Sequence, residues 1–177
     1  GVALGKDGSI YISFEAVHFV TQVTATGETV ARLPQHPDFL TMQHNSSLEA
    51  LAIDDDGALY TLPERSGRYD RPFPIYRYQN GNWDIPHALP RVGSFLVVGA
   101  DFGPDGKLYV LERDFTGFSF LNRVRRIDLA AGRSDTVLLG GGQFGNLEGI
   151  SVWNNGNGLR MTLLSDDNFK FFQRSEL

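Results

Sequence analysis

Apolar and polar residues alternate in short runs, and Asp-Gly or Asn-Gly turns interrupt these runs at regular intervals. Short alternating runs on both sides of a glycine turn are typical of β-hairpins. Four segments share the pattern and can be aligned with one another: 1–15, 47–64, 97–115 and 146–169. Successive turn glycines lie 49, 49 and 50 or 52 residues apart, at Gly8, Gly57, Gly106 and either Gly156 or Gly158. The chain therefore contains an internal repeat with a period of about fifty residues.

A second, weaker hairpin follows the first in three copies, around Gly27, Gly81 and Gly132. Each repeat then supplies four antiparallel strands, and repeats of this kind are typical of β-propeller blades. The sequence predicts an all-β chain that forms a single β-propeller domain over residues 1–177. The expected repeat units are about 1–46, 47–96, 97–145 and 146–177. A β-sandwich is the alternative architecture.

The number of repeats is small for a closed ring. Closed propellers need roughly four to eight blades, whereas the alignment leaves the last copy in residues 1–177 incomplete. We therefore expect an incomplete ring, with further blades missing or supplied by another chain. A four-bladed ring that closes through a shared last blade is the alternative.

The charge and the composition of the chain argue against some classes of binding partner. The chain has 16 Lys and Arg against 21 Asp and Glu, a formal net charge of −5, and its basic residues are scattered. This distribution argues against a nucleic-acid surface or a polybasic membrane surface. No apolar run approaches the roughly 20 residues that a membrane span needs, and the absence of cysteine rules out a disulfide framework. We expect neither nucleic acid nor membrane as a partner.

Acidic residues gather at one end of the first hairpin in several copies. Residues equidistant from a hairpin turn lie opposite each other, which places Glu49 opposite Pro63 or Glu64. Glu148 similarly comes opposite residues 164–166, and Glu112 lies six residues past its turn glycine. Because the first strand of each blade lines the central channel, we expect these carboxylates to form an acidic mouth.

Converging carboxylates repel one another unless cations or arginines neutralise them. Loosely arranged oxygen ligands suit Ca²⁺ better than Mg²⁺, and a bound dication can hold an ester oxygen and activate water. We predict a Ca²⁺ site formed by Glu49, Glu148 and Asp166. Water would be oriented or deprotonated by Glu64 or Glu112, and substrate would be contacted by Arg65, Arg113 and His44. Alternatively, the Glu and Arg residues form structural ion pairs at the rim.

Other motifs give weaker signals. The four histidines show no HExxH pattern, and no G-x-S-x-G elbow is present, so a zinc site and a serine-hydrolase site are not expected. The Pro- and Tyr-rich stretch 66–78 is expected to form an exposed lip, with a binding role or a structural one.

Several motifs carry a resemblance to a known family: SLEALA (47–52), GKLYVLERDF (106–115), NLEGI (146–150) and LSDDNF (164–169). Together they resemble the bacterial "esterase-like activity of phytase" family, also called the phytase-like domain. The resemblance implies a propeller hydrolase of phosphate or other esters that acts on a small anionic ester. It also implies a periplasmic or secreted location.

Two other functions fit the same features. A non-catalytic propeller would bind a ligand or a partner protein, since one fold supports many functions. A lactonase-like propeller would hold one central divalent ion through Asn146, Glu148 and Asn168.

Overall fold

The computed structural model describes residues 1–14, 16–42, 48–141 and 144–166. The first repeat contains β1 (Val2–Leu4), β2 (Ile10–Phe14), β3 (Phe19–Val23) and β4 (Thr29–Arg32), followed by a 3-10 helix (Pro37–Thr41). The second contains β5 (Leu48–Ile53), β6 (Leu59–Pro63), β7 (Phe73–Gln79) and β8 (Asn82–Leu89). The third contains β9 (Leu96–Phe102), β10 (Leu108–Phe115), β11 (Phe120–Asp128) and β12 (Arg133–Gly141), and the fourth contains β13 (Leu147–Asn154) and β14 (Leu159–Ser165).

The strands form antiparallel sheets in which neighbours along the chain pair with each other. Strands β1–β4, β5–β8 and β9–β12 each form a four-stranded sheet, and β13 pairs with β14. The prediction of an all-β chain with four-stranded antiparallel sheets is thereby confirmed. In the part of the chain that the structure describes, no helix has the length and apolar character needed to cross a membrane. The chain forms two compact units, residues 1–93 and 94–177.

The repeated Asp-Gly turns have a common geometry. In the second repeat the Gly57 N–H donates to the Asp54 carbonyl at 3.1 Å, and Gly57 has a φ of +82°. The Asp54 Oδ1 atom accepts hydrogen bonds from the N–H groups of Asp56 and Ala58. A turn followed by a left-handed glycine closes a hairpin with the correct twist. Because only glycine adopts this conformation without strain, the regular glycine spacing marks the turns.

We expect Gly57→Ala to lower the free energy of unfolding by about 1–2 kcal/mol, because a Cβ disfavours the left-handed region. A Cβ at this position would meet no atom within 4 Å, so the cost is conformational rather than steric. Urea unfolding measures the change. Gly57→Asn is the matched control and should cost less, since Asn tolerates this region. An alanine variant as stable as the wild type would refute the conformational explanation.

The core of the first unit joins the 3-10 helix to the second sheet. Phe39 is buried, and its ring lies 4.9 Å from that of Tyr76 and 5.3 Å from that of Trp83, both in edge-on contacts. The Trp83 Nε1 atom donates to the Pro34 carbonyl at 2.6 Å. This packing fixes the connection between the first and second sheets.

The core of the second unit lies between its two sheets and contains Val98, Leu111, Val124, Leu147 and Val152. A polar contact crosses this core: the Val152 N–H on β13 donates to Asp101 Oδ2 on β9 at 2.7 Å. Burial raises the pKa of the Asp101 carboxyl, and backbone hydrogen bonds from Val152 and Phe102 oppose the shift only in part. Ionised Asp101 therefore costs stability at neutral pH.

Because the native pKa of Asp101 is raised, the folded state binds its proton more tightly than the unfolded state. The contribution of this group is favourable at acidic pH and is lost as pH rises through the native pKa. We expect Asp101→Asn, which is neutral and keeps an acceptor, to raise the urea midpoint at neutral pH. The gain should shrink in acid. An equal gain at neutral and acidic pH would contradict this assignment.

Candidate functional site

Three strands contain an extra residue relative to their neighbouring strand, at equivalent positions in the repeat. These residues are Glu49 in β5, Val98 in β9 and Glu148 in β13, spaced by 49 and 50 residues. In each strand, the residues on either side pair with consecutive residues of the next strand. Such bulges redirect a side chain and recur next to active sites. The two glutamates therefore occupy a position suited to function.

Glu148 forms a polar cluster with Arg113 and Asn146, which we call the Glu148 cluster. The Glu148 Oε1 atom accepts hydrogen bonds from Arg113 Nη1 at 2.7 Å and from Asn146 Nδ2 at 2.8 Å. Arg113 Nη1 also donates to Asn146 Oδ1. The side chain of Glu148 is 40% exposed and that of Arg113 is 19% exposed, whereas Asn146 is buried. The carboxylate is thus held by two donors and still reaches solvent.

The part of β10 next to Arg113 is held in place by a buried cluster of charged side chains. Glu112 is 0% exposed, and its two carboxylate oxygens accept from Arg123 at 2.8 and 3.0 Å. Arg125 donates to the same two oxygens, both at 2.6 Å. The Arg123 guanidinium also lies 4.0 Å from the centre of the Phe95 ring. These contacts stabilise the part of β10 that carries Arg113.

This geometry conflicts with the predicted role of Glu112 in activating water. A general base must reach the proton that it removes, whereas both oxygens of Glu112 are enclosed and bound to guanidinium groups. A structural role fits the contacts better. Alternation along β10 separates the two neighbours, because successive side chains of a strand point to opposite faces. Arg113 accordingly reaches Glu148 while Glu112 is buried.

The other predicted site residues differ in their burial and in their contacts. Glu64 is 7% exposed, and its Oε2 atom lies 3.3 Å from Nε of the half-exposed Arg65. The Asp166 N–H donates to the Asn146 carbonyl at 2.9 Å, which connects the end of β14 to the Glu148 cluster. Glu49 is partly buried. His44 lies outside the described residues, as does Asn168 of the lactonase-like alternative.

The structure contains no bound ion, and the predicted Ca²⁺ ligands can be compared only with the side chains around them. Across residues 1–14, 16–42, 48–141 and 144–166, no three His, Asp or Glu side chains form a group that could hold a metal ion. At Glu148 a guanidinium donates to the carboxylate, and it supplies the neutralisation that a cation would otherwise provide. Ca²⁺ binding by Glu49, Glu148 and Asp166 stays a prediction.

Two features of the site were not predicted from the sequence. Asn146 was noted only as a metal ligand of the alternative function, although here it connects Arg113 to Glu148. The second is Arg125, which the sequence does not predict as a partner of Glu112. Its signal was the spacing of Arg123 and Arg125, since residues two apart in a strand share a face.

The fold resembles that of virginiamycin B lyase from Staphylococcus aureus, with a TM-score of 0.58 and 16% identity over 99% of this chain. A catalytically inactive variant of that lyase with quinupristin gives a TM-score of 0.57, again with 16% identity over 99% of this chain. The match covers 54% of each of those chains, so this chain spans about half their length. These similarities confirm the predicted β-propeller fold.

No significant match was found among curated protein sequences. A family profile does match: Phytase-like, described as esterase-like activity of phytase, over residues 1–169. The match includes all four motifs that carried the resemblance in sequence. This chain therefore belongs to the Phytase-like family.

Proposed function

We propose that the protein is a propeller hydrolase of small anionic esters in which Glu148 activates water and Arg113 holds the substrate anion. The observation that carries the proposal is the Glu148 cluster, an exposed carboxylate at a bulge with an arginine and a buried amide bound to it. The family description supports the reaction class. Substrate charge is inferred from Arg113, because a guanidinium pairs well with phosphate and carboxylate groups.

The chemistry requires one proton acceptor and one group that binds negative charge. Glu148 would take a proton from water as the water oxygen forms a bond to the carbonyl carbon or phosphorus of the ester. The bond to the leaving oxygen then breaks, and the same proton passes to that oxygen. Arg113 would stabilise the charge that develops on the attacked group. Among the described residues, both hydrogen bonds to Glu148 use Oε1, which leaves Oε2 for the proton.

Glu49 occupies the same bulge position in the second repeat that Glu148 occupies in the fourth. In the third repeat the position carries the buried Val98. Two of these three equivalent bulges therefore carry a carboxylate.

Hydrolysis of three substrates by the purified protein tests the proposal: p-nitrophenyl phosphate, p-nitrophenyl acetate and a simple lactone. Each is assayed with EDTA and with added Ca²⁺. We expect turnover of at least one ester and little effect of EDTA, because Arg113 already neutralises Glu148. An activity that EDTA abolishes and Ca²⁺ restores would instead favour the Ca²⁺-assisted reaction. Turnover of the lactone alone would favour the lactonase-like alternative.

One observation favours a non-catalytic propeller that binds a ligand or protein. Both residues predicted to handle water, Glu64 and Glu112, are buried and adjacent to arginines. Carboxylates in such positions are needed by the arginines beside them, because removing one partner of a buried ion pair is strongly destabilising. Saturable binding of an anionic ester without any hydrolysis would support this second function over the first.

A further inference from the structure

A second feature of the molecule lies in the first unit and shares no residue with the Glu148 cluster. It is a cleft of about 860 Å³ next to the 3-10 helix and strand β8, with the segment 65–72 along its wall. Clefts of about 300–1,000 Å³ are typical of small-molecule sites. We call it the Arg71 cleft.

Positive charge is concentrated in this cleft, although the chain as a whole carries a net charge of −5. Among the described residues that line it, one is a carboxylate, Asp38, and four are arginines: Arg65, Arg68, Arg71 and Arg91. Arg65 and Arg68 each have a described carboxylate beside them. Arg65 lies 3.3 Å from Glu64, and Arg68 lies 3.2 Å from Asp70.

Arg71 differs from these two arginines in the part of the chain that the structure describes. No carboxylate among the described residues lies within ion-pair distance of its guanidinium. The carboxylate of Asp38, which also lines the cleft, accepts a hydrogen bond at Oδ2 from the Tyr76 hydroxyl at 3.0 Å. Burial, and then Asp38, raise the pKa of Tyr76, so this hydroxyl stays protonated at neutral pH. Arg71 is therefore available to a ligand.

The loop that carries Arg71 is held in place by its own hydrogen bonds. Ser66 is buried, and its Oγ donates to the Arg68 carbonyl at 2.9 Å and accepts from Arg91 Nη1 at 3.1 Å. The Arg71 N–H donates to the same Arg68 carbonyl at 3.2 Å. A site that is ordered before binding loses less entropy when the ligand arrives.

Other parts of the cleft wall consist of apolar side chains and the flat ring of Tyr69. Pro63, Pro72, Pro74 and Ile85 line the cleft. Tyr69 is largely exposed, with the Arg91 guanidinium 4.6 Å from its ring centre. Such a wall favours a ligand with an apolar, planar body, because aromatic rings pack well against one another.

We propose that the Arg71 cleft binds a small amphiphilic anion, whose oxyanion head pairs with Arg71 and whose flat apolar body packs against Tyr69 and the prolines. This is a binding site and is independent of the hydrolysis assigned to Glu148. Sulfonate, phosphate and carboxylate heads share the required chemistry, since all present oxygens to a guanidinium.

Calorimetric titration with 1-naphthalenesulfonate tests the proposal, because this probe has the required head and body and contains no ester to hydrolyse. We expect saturable binding at one site. Arg71→Ala should weaken binding by about tenfold to a hundredfold, as loss of a charged hydrogen bond does. Arg77→Ala is the matched control, since Arg77 is in the same unit, pairs with Asp84 and does not line the cleft. This control should bind the probe like the wild type.

Two simpler probes separate the contributions of head and body. Sulfate carries only the anionic head, and 1-naphthalenemethanol carries only the apolar body, so we expect both to bind at least tenfold more weakly than the sulfonate. Equal affinity of the neutral alcohol would overturn the assignment of Arg71. If sulfate bound as tightly as 1-naphthalenesulfonate, the role assigned to the apolar wall would be overturned. Absence of binding to the wild type, or wild-type affinity in Arg71→Ala, would overturn the proposal as a whole.

Discussion

Replacement of Glu148 by Gln is expected to lower kcat for ester hydrolysis by about 10²–10⁴-fold, the usual contribution of a general base. Glutamine has nearly the same shape and keeps an oxygen that can accept from Arg113 and Asn146, so the cluster should stay assembled. It cannot accept a proton from water. Since the anion is held by Arg113, KM should change much less than kcat. Steady-state kinetics on the preferred nitrophenyl ester measures both constants.

Glu28→Gln serves as the control, because Glu28 is an exposed glutamate in the turn between β3 and β4. It removes the same charge and should leave kcat and KM unchanged. Arg113→Lys adds a second test of the roles, since lysine keeps the charge and loses the bidentate geometry. We expect it to raise KM. Wild-type kcat in Glu148→Gln would remove Glu148 from the chemistry.

Replacement of Glu112 by Ala is expected to lower the free energy of unfolding by about 3–5 kcal/mol, because it leaves two buried guanidinium groups without their shared carboxylate. Arg123 and Arg125 are each bound to both oxygens of Glu112. Neither arginine can lose its charge in a folded protein. Urea unfolding followed by circular dichroism measures the loss.

An exposed ion pair of the same unit provides the comparison. Arg126 lies 2.9 Å from Asp135, and both side chains are partly in solvent. We expect Asp135→Asn to cost less than about 1 kcal/mol, as exposed pairs usually do. If Glu112→Ala costs no more than this control, the buried cluster does not support β10 in the way that its geometry indicates. Replacing all three buried residues with apolar ones should recover much of the stability, since such swaps are often neutral.

The hairpins could be predicted because their cause is local. A left-handed residue at a fixed place in each turn strongly favours glycine, and Gly8, Gly57 and Gly106 all have positive φ. Repetition of that local signal at 49-residue intervals, together with the second hairpins around Gly27, Gly81 and Gly132, predicted the four-stranded sheets.

The Glu148 cluster was harder to predict from the sequence, because the pairing between strands decides which side chains come into contact. The Leu-Glu context at Glu49 and Glu148 marked equivalent positions, but the bulge appears only in the register of the neighbouring strand. Glu112 was assigned to the mouth by counting from its turn. Its burial depends on β11, where Arg123 pairs directly with it across the ladder.

The Arg71 cleft also could not be predicted in full from the sequence. Residues 66–78 were expected to form an exposed lip with either a binding or a structural role. Part of that stretch, including Arg71, lines the cleft, but other parts of the wall come from the 3-10 helix, from β8 and from segments next to them. No local pattern connects segments that are distant in sequence.

Glu148→Gln tests the central claim most directly, when its kcat on the preferred ester and its urea midpoint are measured on the same preparation. We predict a kcat lowered by about 10²–10⁴-fold, together with a midpoint close to that of the wild type. That pair of results would assign the chemistry to Glu148 rather than to the fold it belongs to. A variant that folds normally and retains wild-type kcat would contradict the claim.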